Sequence, residues 1–459
     1  MSHLVRRSKS AIALVLSVML VLLLAACGGG NKDNNAASSG SSSPSASPSA
    51  SEGSASGEQV TIKYWTWVPS ADDYKPIIEA FEKSHPMIKV DLTVMSSLDY
   101  QQKLPISLST GEELDVVGVQ PNMVKQLQPY LEETDGLMKQ YVSDDWQSQF
   151  DPTSITQAKK LSDPMVMVPV GSTGASFLYY NNKMLQDLGL QAPKSYDDLK
   201  NIVKTVKEKR PGVLPLSLGG KEGWILDEIV LTLLTQKSDL FNKIRYKEGG
   251  KWDSPEYLEA VKEFKQWIDD GVISQDVIDL DYTRALETFT TGKAAMFIQG
   301  SWAASMLSSK YKSTNNIALE DIGLTAIPVM SAGGKPTVRS FLDIGMGVSK
   351  NSKHKAEAAE FVKFMTLGEG ADVLGKLFVV VPSKVGFTPD LSDLNATGQE
   401  SFKKMQELIA SAGADRNNLG SFSSDVVGPE LQRMLLTKTP PEDIAKNIQK
   451  EFDTGKYLK

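Results

Sequence analysis

The sequence predicts an α/β protein made of two successive α/β layers, and three observations carry that reading. The chain has 459 residues, past the size at which a single apolar core usually divides. From Val60 the pattern runs strand, helix, strand, helix, strand over about 70 residues, the order of a parallel layer. A second alternation of the same kind begins at Val166.

In the first layer, Val60-Thr61-Ile62-Lys63-Tyr64-Trp65 alternates like a strand and is closed by Pro69 and Ser70. Asp72 or Asp73 can cap a helix that tolerates Pro76 in its first turn and carries Ile77, Ile78 and Phe81 on one face. Residues 88–94 predict a second strand, 98–109 a helix whose continuity Pro105 weakens, 115–119 a short buried strand and 122–130 another helix. In the second layer, 166–170 and 177–180 read as strands. Ser195 caps an amphipathic helix over 196–210, with Leu199, Ile202, Val203 and Val206 at helical spacing. A strand at 213–218 is followed by helices at 225–235, 256–270 and 283–291. The strand 294–298 then ends at Gly300-Ser301-Trp302. Residues 344–348 return as a strand and 354–366 as a helix. No fixed period of 20–50 residues is visible, which speaks against solenoids and propellers.

The N-terminus points to a compartment. A short basic start with Arg6, Arg7 and Lys9 precedes an apolar run over 11–26, too short for a comfortable membrane span and suited to a signal peptide. Leu24-Ala25-Ala26-Cys27 then resembles the lipobox of bacterial lipoproteins, whose Cys is lipidated and becomes the mature N-terminus. The alternative is an ordinary signal peptide that happens to hold a Cys. Residues 28–57 carry Gly, Ser, Ala and Pro and no aromatic or large aliphatic side chain, so they predict a disordered tether with a reach of roughly 30 Å. The expected location is the outer face of a bacterial cell membrane.

Several functions are excluded or disfavoured. The formal net charge is −7, and the leader holds basic residues only, so the body is more acidic still and unsuited to gripping nucleic acid. One Cys permits no intrachain disulfide, and three His leave no room for a Cys/His zinc site, so no metal and no cofactor is expected. GxSxG and HExxH are absent. Gly370 to Lys376 follows the start of a phosphate-binding loop, but Leu377 stands where a Ser or Thr is needed, and helix surface is the better reading. Asp276, Asp279 and Asp281 lack the glycine and distal Glu of a calcium loop.

The remaining motifs, taken in order, resemble the extracellular solute-binding proteins of ABC importers, the branch with maltose-binding protein and the multiple-sugar-binding lipoproteins. They are Val60 to Trp67, Phe81 to Val90, Gly111 to Val117, Leu178 to Leu185 with Pro193, Phe289 to Met296 with Gly300-Ser301-Trp302, Gly323 to Pro328, and Gly347 to Lys355 with Ala359 to Phe364. The resemblance implies a periplasmic-binding-protein-like fold: two discontinuous α/β lobes with a ligand cleft at the crossover hinge. Crossovers would fall near Gly171–Gly174, Ala326–Pro328 and Val381–Pro382. One lobe would hold 58–172 and 328–380, the other 173–327 and 381–459. It implies capture of a sugar or oligosaccharide by hinge closure, delivery to an ABC permease, a monomer, and no catalysis.

A sugar offers apolar C–H faces rimmed by hydroxyls, so its site needs flat aromatic platforms and fixed hydrogen-bonding groups. Trp302 matches the family's Gly-x-Trp pattern, where the Trp stacks on sugar. Trp65 and Trp67 leave the first strand, and Trp224 follows the glycine-rich turn 219–223. For these three, ligand contact and core packing are both open. Trp146, Trp252 and Trp267 read as core. Polar candidates are Gln120, Asn122, Ser172, Thr173 and Asp343, for each of which a turn or cap role is the other reading. The family's tryptophan near the C-terminus has no counterpart around Ser421-Phe422-Ser423, which argues against carrying over maltodextrin specificity. The competing functions are a receptor for a peptide or polyamine and a lipid-anchored glycosidase with two positioned carboxylates.

Overall fold

The computed structural model describes residues 59–457 apart from 331, 379, 413, 417 and 418. The signal peptide, Cys27 and the tether lie outside the described residues. Two sheets form among the described residues. The first takes β1 (Val60–Thr66), β2 (Ile88–Val94), β3 (Val116–Val119), β4 (Val168–Ala175), β9 (Arg339–Val348) and β10 (Val381–Pro382) in the order β10-β4-β9-β3-β1-β2. The second takes β5 (Phe177–Asn181), β6 (Leu214–Ser217), β7 (Ala294–Gln299) and β8 (Ile322–Ala326) in the order β6-β7-β5-β8.

Strand direction sets where a site can form. β1 runs parallel to β2 and β3, whereas β9 is antiparallel to both β3 and β4. The carboxyl ends of β1 to β4 therefore share one edge with the start of β9. In the second sheet β6 is parallel to β7, and β5 is antiparallel to β7 and β8. The carboxyl ends of β6, β7 and β8 share an edge with the start of β5. β4 passes into β5 through Ser176 alone, so the two edges meet at that residue.

Side-chain alternation explains how each sheet is buried. In β5, Leu178 and Tyr180 belong to one apolar cluster with the helix Gly223–Thr235, while Phe177 and Tyr179 belong to another with Phe289 and Phe402. A third cluster surrounds the first sheet, from Ile62 and Val117 to Met346 and Phe361. Trp146, Trp252 and Trp267 are fully buried, as the sequence predicts.

Differences from the sequence reading have local causes. The helix Ser97–Ser109 runs through Pro105 because Tyr100, Leu104 and Leu108 bury one face and offset the missing donor. Residues 122–130 form short helical turns instead of one helix, since Pro121 and Pro129 each begin a new turn. β4 continues through Gly171–Gly174 to Ala175, paired to β9, so the chain leaves the first sheet later than residue 172. β10 pairs with β4, which keeps residues 381 and 382 in the first sheet. The stretch 370–376 is helical, as expected. Among the described residues no helix is long and apolar enough to cross a membrane.

Candidate functional site

Trp302 sits just past β7, and its orientation is fixed by its neighbour. A Cβ on Gly300 would lie 2.0–2.4 Å from three atoms of the Trp302 ring, so the indole folds back onto a position only glycine can occupy. Tyr179 donates to the Gly300 carbonyl at 2.9 Å, and Gly174 N donates to Ser301 Oγ at 3.0 Å, tying this turn to β5 and β4. Trp224 opens the helix Gly223–Thr235 and faces Trp302, with ring centroids 6.3 Å apart and planes inclined by 46°. Both indoles are half-buried. Burial pushes the Tyr282 phenol near Trp302 well above its ordinary range and also raises the Glu222 carboxyl near Trp224.

A charged group stands beside this pair. The Arg416 guanidinium lies 4.4 Å from the Trp302 ring centroid, close enough for cation–π attraction. Arg416 Nη1 donates to Asp343 Oδ1 at 2.5 Å, and Thr173 Oγ1 donates to Asp343 Oδ2 at 2.9 Å. Below them the fully buried Arg339 donates to Glu228 at 3.0 Å and to the Arg416 carbonyl at 2.5 Å. Asp227, next to Glu228, is pushed up to about 7 by burial, against the opposing pull of the Ser423 hydroxyl and Arg339. Glu228 and Asp343 are thus each held by an arginine, Arg339 and Arg416 respectively.

Between the tryptophans lies a small cavity whose enclosed part has room for about one water molecule. Its walls include Ile225, Ile298, Glu228, Ser176 and Gln299. The Ser176 hydroxyl and Gln299 Nε2 are buried there without a hydrogen-bond partner.

The structure thus joins Trp224, Trp302, Thr173 and Asp343 in one cluster. Ser172 is half-buried in β4, paired with Val381 and Leu342. Trp65 and Trp67 stand at the end of β1, Trp67 against Tyr100 at 5.3 Å. Gln120 donates to Ser97 Oγ at 3.1 Å, and Asn122 is exposed, neighbouring Gly420. All nine candidates lie along or just past the strand ends that share the two facing edges, where open α/β sheets bind ligands. Sequence reasoning missed Ser176, Glu228, Gln299, Arg339 and Arg416. Asp227-Glu228 inside an otherwise apolar helix was a readable sign, because buried charges need partners. Nothing local marked Arg416. Among the described residues no group of three or more His, Cys, Asp or Glu could hold a metal ion.

A family model described as bacterial extracellular solute-binding protein matches residues 67–372. The multiple sugar-binding protein of Streptococcus mutans is 26% identical over 321 residues, covering 67% of this chain and 71% of that protein. The melibiose/raffinose/stachyose-binding protein of Bacillus subtilis is 22% identical over 395 residues, covering 83% and 86%. Among solved structures, a maltose-bound T. maritima protein superposes with a TM-score of 0.71 at 21% identity, covering 86% of this chain and 99% of that one. A sugar transporter of Bacillus licheniformis in complex with stachyose superposes with a TM-score of 0.63 at 19% identity, covering 85% and 98%. The two likenesses establish the fold.

Proposed function

The chain belongs to the bacterial extracellular solute-binding protein family, and from that premise we propose that it captures a saccharide between its two sheet edges and delivers it to an ABC permease. A solute-binding protein holds its solute unaltered, so the chain is a receptor and not an enzyme. The observation that carries the saccharide reading is the Trp224–Trp302 pair beside charged and hydroxyl groups. The paired indoles offer flat faces for the apolar side of a sugar ring, and Thr173, Asp343 and Arg416 suit its hydroxyls. The names of the relatives, which bind sugars, support the same class. The carboxylates of Glu228 and Asp343 are already paired with arginines, which favours a neutral polyol over a polyamine.

In this reading Trp65, Trp67, Gln120, Asn122 and Ser172 line the first-sheet wall, and Trp224 and Trp302 the second. The first sheet, which keeps residues 173–175 and 381–382 through the β4–β9 and β10–β4 pairings, is the core of one lobe and the second sheet the core of the other, with ligand stabilising the closed arrangement. Cys27 carries a lipid, the segment after it is the tether, and the receptor works as a monomer moored outside the cell membrane.

Thermal melting and calorimetry with raffinose, stachyose, maltotriose and xylotriose test the function. One of them raises the melting temperature, since a ligand selective for the folded state must. Spermidine raising it while every saccharide leaves it unchanged would move the reading to a polyamine receptor. Expression of Cys27→Ser tests the anchor: the variant leaves the membrane fraction, and its retention there would refute lipidation at this position.

A further inference from the structure

We propose that Ser176 and Gln299 form a hydroxyl-reading floor beneath the two tryptophans, so that the site selects its ligand by one particular hydroxyl as well as by an apolar face. The inference rests on the saccharide reading above and names the group that the site reads.

Both residues are 3% exposed and line the same cavity as Trp224 and Trp302. The Ser176 hydroxyl and Gln299 Nε2 have no hydrogen-bond partner, although buried polar groups nearly always find one. The orientation of the amide is fixed, because Gln299 Oε1 accepts from Gly300 N at 3.0 Å. A flipped amide would set two donors against each other, so it is the NH2 group that stays free. Ser176 adds a second anomaly. Its φ of 63° is left-handed, a conformation that glycine adopts without strain and serine does not. If the passage from β4 to β5 needed only a turn, glycine would serve better. A strained serine with an unpaired hydroxyl, held in a cavity, is strain kept at a site.

The pair defines what fits. Gln299 Nε2 only donates, whereas Ser176 Oγ donates or accepts. A ligand hydroxyl satisfies both, accepting from the amide and donating to the serine. A methyl group leaves both unpaired, and an ammonium meets the amide donor head-on. Ile225, Ile298 and Ala175 add only apolar surface, and the Glu228 carboxylate in the same wall is already held by Arg339.

The test uses calorimetry of the saccharide panel with the wild-type chain, Ser176→Gly and Gln299→Met, alongside thermal melting of each without ligand. Loss of one buried hydrogen bond predicts affinity reduced about 10- to 100-fold in each variant. Ser176→Gly relieves the strain, so its melting temperature stays level or rises while affinity falls. A merely structural serine would lower the melting temperature instead. Among monodeoxy analogues of the best binder, one loses a similar factor against the wild type and almost nothing against Gln299→Met. Variants that bind as the wild type does would overturn the inference and leave the saccharide reading standing. Equal losses from every deoxy position would also overturn it. A wild-type chain that binds no saccharide removes the functional reading, and this inference with it.

Discussion

At the scale of single residues, Trp302 is the side chain on which the proposed site turns, and Gly300 is what aims it. Trp302→Ala should weaken saccharide binding about 30-fold or more, the usual result of truncating an aromatic anchor. Because the indole is only half-buried, the melting temperature should move by a few degrees. Gly300→Ala makes a sharper test. Its new methyl would overlap the indole, which must swing away. Affinity should fall as in the truncation although no aromatic atom is lost, and tryptophan emission should shift to the red. Unchanged affinity in Gly300→Ala would mean that ring position does not matter. The Gly-x-Trp spacing was legible in the sequence, yet its physical reason, an indole lying on its own neighbour, is a three-dimensional fact.

At the scale of elements, the helix Gly223–Thr235 shows where sequence reading succeeds and where it stops. Its apolar run marks a buried helix, and residues 225 to 234 are all buried. Its partners come from far along the chain: Ser423 on Asp227, Arg339 on Glu228, and Gly428 packed against Gly223. A period of 3.6 says that such a helix is covered and is silent on what covers it. Asp227 gives this element a pH dependence. Its carboxyl holds a proton more tightly folded than unfolded, so its contribution to stability is intact below about pH 4 and lost as pH rises towards 7. Asp227→Asn should therefore match the wild type in urea denaturation near pH 4 and exceed it near pH 8 by roughly 2–4 kcal/mol. A variant with the same pH slope as the wild type would show that Asp227 does not titrate in this range.

At the scale of the whole molecule, the local patterns announced most strands and helices and two α/β layers, while the discontinuous make-up of the two lobes came from the family resemblance. β9 illustrates the gap. Residues 344–348 read as a short strand, yet the observed element begins at Arg339 and lies between β3 and β4. If ligand draws the two sheet edges together, small-angle scattering should record a smaller radius of gyration with the best-binding saccharide than without it. An unchanged radius accompanied by tight binding would indicate a site already shut. The position of β9 also has a consequence for biogenesis. It is an interior strand supplied late, so residues 60–338 can be synthesised in full while the first sheet still lacks its middle. A nascent chain in that condition has no finished domain to resist unfolding, which is the state in which a polypeptide can be threaded through a translocation channel before it folds on the far side.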